Sequence, residues 1–118
     1  MRLLLAVLIL ACATGAAAAQ KAKARNALYG AIAYHQASGA VGWASDRHSS
    51  REARVEALKQ CGRDDCVIVA TVSRDCVALA ANARKFSAQK GATQQEAETK
   101  ALAHCGADCR IAAWVCTR

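Results

Sequence analysis

Nine residue identities recur in the same order 43 or 44 positions apart. Glu52-Ala53, Ala57-Leu58, Cys61-Gly62, Asp65-Cys66 and Ile68 are matched by Glu96-Ala97, Ala101-Leu102, Cys105-Gly106, Asp108-Cys109 and Ile111. A hydroxyl residue, Ser49 or Thr93, opens each block. The offset is 44 up to the glycine and 43 after it, because the second loop is one residue shorter. Ordered self-similarity of this kind marks an internal duplication, so the chain must build two equivalent units. Their bounds are about 28–75 and 76–118.

The repeat carries its own helix signals. Ser49 with Glu52 and Thr93 with Glu96 are capping boxes, in which the hydroxyl accepts from the N3 amide and the carboxylate reaches back to the cap amide. Gly62 and Gly106 stand where a helix ends on a left-handed residue. Helices are therefore expected over 50–61 and 94–105, with Ala53, Ala57, Leu58 and Cys61 on one face and Ala97, Ala101, Leu102 and Cys105 on its copy. Strands are expected at Tyr29–His35 and 40–45, joined by a hairpin loop at 36–39 that ends in Gly39. The β-branched run 66–73 reads as a central strand. After a turn at Arg74-Asp75, Cys76–Ala81 is expected to pair back on it as a hairpin. A weak strand at 86–89 and a last one at Arg110–Cys116 complete the order ββαβ–ββαβ. The expected class is α+β, two helices packed on an antiparallel sheet, with disulfides for support.

The interior available to this fold is lean. Beyond residue 19 the sequence holds 23 alanines against 19 large apolar residues, and aromatics make up only 4% of the chain. At about 1.5–3 kcal/mol per buried large side chain, such a core does little more than match the ordering entropy of ~100 residues. Seven cysteines are the obvious further stabiliser.

The N-terminus reads as an export signal. Met1-Arg2 is a short positive start, Leu3 to Ala13 an apolar stretch too short to span a bilayer, and Ala17-Ala18-Ala19 a small-residue cleavage site. Residues 1–19 are thus expected to be a signal peptide, 20–27 a flexible basic arm, and 28–118 a single secreted or periplasmic domain. A short N-terminal anchor is the alternative. Lipidation at Cys12 is another, weakened by the bulk of Leu10 before the site. Cleavage after Ala19 leaves six cysteines, an even number outside the cytoplasm, which points to disulfides. The rival is zinc held by Cys61, Cys66, Cys105 and Cys109 with His104 nearby, against the redox compartment and the uneven spacing. Six cysteines allow fifteen pairings. The duplication favours Cys61 with Cys66, Cys105 with Cys109, and Cys76 with Cys116 as a clasp between copies. The runner-up links each helix cysteine to a neighbouring strand.

A net charge of +6 beyond residue 19, from 15 basic and 9 acidic residues, would draw anionic partners such as envelope polymers. Basic residues are scattered, with no aromatic interleaving for nucleic acid. No transmembrane segment, cofactor or metal site is expected after cleavage, and the chain reads as a monomer. Trp43 and Trp114 are first expected to be packing anchors. The sharper reading places Trp43 with Arg47 and His48 in an exposed binding patch. His35 and His48 flank the first hairpin and could form a pH-sensitive or metal-touching pair. His104 beside Cys105 does not make a nucleophile–base pair, since adjacent helical positions diverge.

Tyr29-Gly30-Ala31-Ile32-Ala33-Tyr34, Gly42-Trp43, Ala57-Leu58, Cys61, Cys66, Cys105 and the closing Cys109-Arg110-Ile111-Ala112-Ala113-Trp114-Val115-Cys116 resemble one family. It is the bacterial "domain of unknown function 4189" family of exported proteins, and the resemblance runs over residues 28 to 117. The chain departs from it at Phe86-Ser87, near where the family's second copy commonly has Gly-Trp. The resemblance implies secretion and a small cysteine-bridged α+β domain, and brings no activity or catalytic residues. The function expected is a non-enzymatic binding or inhibitory module of the envelope or exterior, acting on a protein or anionic envelope polymer. The alternatives are a small enzyme using His48 or His104, and a purely structural envelope protein.

Overall fold

A computed structural model describes residues 27–118. The expected signal peptide, Cys12 and all of the expected basic arm but residue 27 lie outside the described residues. The elements are β1 (Tyr29–His35), β2 (Ala40–Arg47), α1 (Ser50–Cys61), β3 (Val67–Ser73), β4 (Cys76–Ala81), β5 (Phe86–Gly91), α2 (Gln94–Cys105) and β6 (Arg110–Cys116). The class is α+β, as the sequence predicts, but the strands form two antiparallel sheets, ordered β2-β1-β3 and β5-β4-β6, where one was expected.

Side-chain size along the two central strands decides the layering. Successive residues of a strand face opposite sides. On β1 the small Ala31 and Ala33 pack with Ala53, Ala57 and Cys61 of α1. On β4 the small Ala78 and Ala80 pack with Ala97, Ala101 and Cys105 of α2. The large residues between them, Ile32 and Tyr34 on β1, Val77 and Leu79 on β4, join Val72, Ala113 and Val115 in one cluster. The molecule is therefore layered helix–sheet–sheet–helix. Alanine lets each helix lie close on its sheet, and the few large side chains are concentrated between the sheets.

The strand order corrects two expectations. Among the described residues β3 is an edge strand that pairs only with β1, although its β-branched composition suggested a central place. Cys76–Ala81 does not fold back on β3. It is the central strand of the other sheet, between β5 and β6. Residues 76–80 of β4 are all buried, whereas most of β3 is only half-buried. β-branched residues mark a strand but do not say how many faces are covered. At the sheet change Arg74 takes a positive φ of 57°. Its N–H donates to Thr117 Oγ1 at 2.9 Å, and the Thr117 N–H donates to the Asp75 carbonyl at 3.0 Å.

Duplication extends to irregularities. Between Ile32 and Ala33 the partner strand skips from Ala70 to Ile68. Between Leu79 and Ala80 it skips from Ala113 to Ile111. Each is a one-residue bulge, at Val69 and Ala112, again 43 positions apart. A third shift has no counterpart in the second copy. It lies between Tyr29 and Ala31, paired with Arg47 and Ala44, and Asp46 there takes a φ of 54°.

Both helices begin and end where the sequence places them. Ser49 and Thr93 accept from the amides of Glu52 and Glu96 at 3.0 and 3.1 Å. The carboxylates reach one residue further back than a standard capping box, to the amides of His48 and Ala92 at 3.2 Å each. Gly62 is left-handed (φ 77°, ψ 9°), but Gly106 adopts φ 116°, ψ 175°, open only to glycine. Leu58, expected on the buried face of α1, is exposed.

Three disulfides hold these layers. Cys61–Cys66 and Cys105–Cys109 close the turns from α1 into β3 and from α2 into β6. Cys76–Cys116 links directly opposed residues of β4 and β6, with a Cα–Cα distance of 4.0 Å. Both strands belong to the second sheet, so the bridge lies inside the second copy and is not the clasp between copies expected of it.

Candidate functional site

Both tryptophans are near the surface, with 48% of Trp43 and 45% of Trp114 exposed. They are not the packing anchors expected of so lean a core. The reason is strand position. Trp43 faces the same side as Ile32, its register partner, but β2 is the edge of its sheet. Trp114 shares a side with Ala78, and β6 is the edge of the other sheet. An edge strand has covering neighbours on one side only, so a large side chain there overhangs water.

The two indoles line one groove of about 850 Å³ between β2 and β6. β2 contributes alternate residues, Val41, Trp43 and Ser45, and β6 contributes the unbroken run 111–116. Among the described residues Glu98 of α2 is the only charged side chain in the lining, and its Oε2 accepts from Gln94 Nε2 at 3.0 Å. The surface is aromatic and aliphatic, with one carboxylate at its rim. It can hold a ligand by area and by stacking.

The residues expected to act together are divided. Arg47 and His48 lie outside this groove, in a separate depression of about 550 Å³ that also includes Asp46, Arg51, Glu52 and Glu56. Arg47 is 3.8 Å from Glu56 there, so its charge is partly answered. His104 is exposed in the last turn of α2. His35 and His48 do not meet, because His35 ends β1 and is paired with Ala40, whereas His48 follows the far end of β2.

One polar cluster was not anticipated from the sequence. His35 Nε2 lies 2.8 Å from Asp65, and its Nδ1 is hydrogen-bonded to Ser38 Oγ. Ser38 N–H also points to Nδ1 at 3.3 Å, a pattern satisfied by the tautomer protonated at Nε2. Serine, histidine and aspartate in a row suggest hydrolytic chemistry, but the amides of the turn are already used. Ala40 N–H donates to Ser38 Oγ and Gly39 N–H to the His35 carbonyl. The cluster acts as a clip, tying the β1–β2 hairpin to the loop closed by Cys61–Cys66. The separation of His35 from Asp65 hid it, since only the fold brings the two loops together. Among the described residues no three side chains are grouped to hold a metal ion, and no helix is long and apolar enough to cross a membrane.

Fold and surface together define a class: a small duplicated α+β domain, braced by three disulfides, with an aromatic groove at the open side of its sheets. The chain belongs to the family described as domain of unknown function (DUF4189), whose model matches residues 29–116. It is 35% identical over 89 residues to Protein Rv1269c of Mycobacterium tuberculosis and to Protein Mb1300c of Mycobacterium bovis, covering 75% of this chain and 69% of each relative. The NMR structure of Rv1813c from Mycobacterium tuberculosis is similar, with a TM-score of 0.60 and 34% identity over 75% of this chain and 74% of that one.

Proposed function

We propose that the protein is an exported, non-enzymatic binding module whose ligand seats in the groove between β2 and β6. The observation that carries this is the placement of the chain's only two tryptophans, each about half exposed, in the wall of one groove. Indole is the side chain whose exposure costs most in water and repays most at an interface. Three disulfides support export to the periplasm or the exterior, where such bonds persist. They also keep the groove walls fixed, so little ordering accompanies binding. Among the described residues the lining has a carboxylate and no cation, which favours a protein partner over an anionic polymer.

Because both tryptophans report from the site, intrinsic fluorescence tests the reading without labels. A ligand captured from the native envelope is expected to shift the emission and to lose affinity at least tenfold with Trp43→Ala or Trp114→Ala. His48→Ala and His104→Ala are expected to leave binding unchanged. Full affinity in the double tryptophan variant would overturn the assignment.

A further inference from the structure

We infer that the ligand is an extended polypeptide segment, added as a strand to the free edge of β6. This rests on the groove being the binding site and names what it takes.

The two walls of the groove differ in kind. β2 presents Val41, Trp43 and Ser45, every second residue, which is the face of a strand. β6 presents residues 111–116 without a gap, which is the edge of one. Among the described residues that edge is unpaired along Arg110–Cys116, since β6 is terminal in the order β5-β4-β6. Just past it the Arg118 carbonyl accepts from the Leu28 N–H at 3.4 Å. Its phase can be read from the ladder. The Thr117 N–H bonds to the Asp75 carbonyl, and antiparallel pairs alternate between bonded and non-bonded. The next pair, Cys76 and Cys116, is therefore non-bonded, in keeping with its short Cα–Cα distance of 4.0 Å. Val77 and Val115 are bonded, and Ala78 and Trp114 are not. Cys116 and Trp114 thus turn their N–H and C=O groups away from β4, toward the groove. They lie two residues apart, the spacing at which an added strand makes its own bonds. An unpaired edge beside apolar walls is what strand addition uses.

The walls also set the side chains of the guest. Its residues would alternate between the inner side, against Val41 and Trp43, and the outer side, beside Trp114 and Glu98. The inner positions call for apolar residues. The outer one calls for lysine or arginine, which answers the Glu98 carboxylate and lies on the Trp114 ring. The partner is an extended segment alternating apolar and basic residues.

The experiment uses the oxidised protein and a capped seven-residue peptide of alternating lysine and valine. Amide hydrogen exchange is followed by NMR, together with both indole signals. The peptide is expected to slow exchange at Trp114 and Cys116 at least tenfold. The same peptide N-methylated at alternate residues, so that one edge cannot bond, is expected to give no slowing. Glu98→Gln is expected to weaken binding severalfold, with most of the loss at low salt. Three results would overturn the proposal. The first is no change at amides or indoles at millimolar peptide. The second is equal binding of the N-methylated peptide, or indole shifts with a soluble peptidoglycan fragment and no amide slowing, which would leave the groove as a site for another ligand. The third is concentration-dependent protection without peptide, which would assign the edge to a second copy of the chain.

Discussion

Gly42 stands where β2 runs against the backbone of α1. A Cβ there would fall 2.0 Å from the Ala57 carbonyl oxygen and 2.3 Å from the Cys61 amide nitrogen. Backbone atoms cannot swing aside as the end of a side chain can, so Gly42→Ala must push α1 off its sheet. The expected loss is about 1–3 kcal/mol, measurable by urea unfolding of the oxidised protein. The neighbouring Trp43 acts differently. Half of its indole already meets water, so Trp43→Ala forfeits only the buried half, about 2 kcal/mol in stability, and displaces no backbone. One residue of this pair serves the fold and the next serves the surface. The sequence shows both letters of Gly42-Trp43 but not their division of labour, because exposure depends on β2 being an edge. That fact resides in the strand order.

At the scale of elements, the helices were legible because their instructions are local. Ser49 and Thr93 bond within three residues of themselves, and Gly62 and Gly106 donate to the carbonyls four residues back. Ser49→Ala and Thr93→Ala should each cost about 1 kcal/mol, read from chemical unfolding. The strands were legible one by one, but their partners were not. The apolar run of β3 and the alanine-rich β4 exchange the roles that composition suggests, since pairing is decided by what covers each face. The alternation of alanine with large residues on β1 and β4 was the available sign of two covered faces of different depth. The second helix also carries a pH signature. The Lys100 ammonium, 3.0 Å from Glu96, and the Ala92 amide hold the Glu96 carboxyl below its usual 4.5. A lowered folded-state value means the stabilisation is present above pH 4.5 and fades as the pH falls through the lowered value. Glu96→Gln should therefore cost stability at neutral pH and flatten the acid limb of the stability profile, with little difference remaining at the acid end.

At the scale of the molecule, two copies of one unit meet through their large side chains, and Cys76–Cys116 fixes the second copy's first strand to its last. Among the described residues only four large side chains, Ile32, Leu79, Val77 and Val115, are fully buried. The loop closed by Cys76–Cys116 spans 40 residues. On the chain-entropy account its closure contributes roughly 3–4 kcal/mol, and the two short loops contribute less. Replacing both Cys76 and Cys116 by alanine should lower unfolding stability by about that amount, more than removing either short bridge. The central claim is that sulfur crosslinks in this pattern complete an interior too lean to stand alone. Its most direct test is a peptide map of the native, unreduced protein by mass spectrometry. Peptides joined as Cys61 with Cys66, Cys76 with Cys116 and Cys105 with Cys109, with none of these six cysteines free to alkylate, are the predicted result. Six alkylated thiols in a folded protein, or bridges running from either helix cysteine to a strand of the other copy, would contradict it.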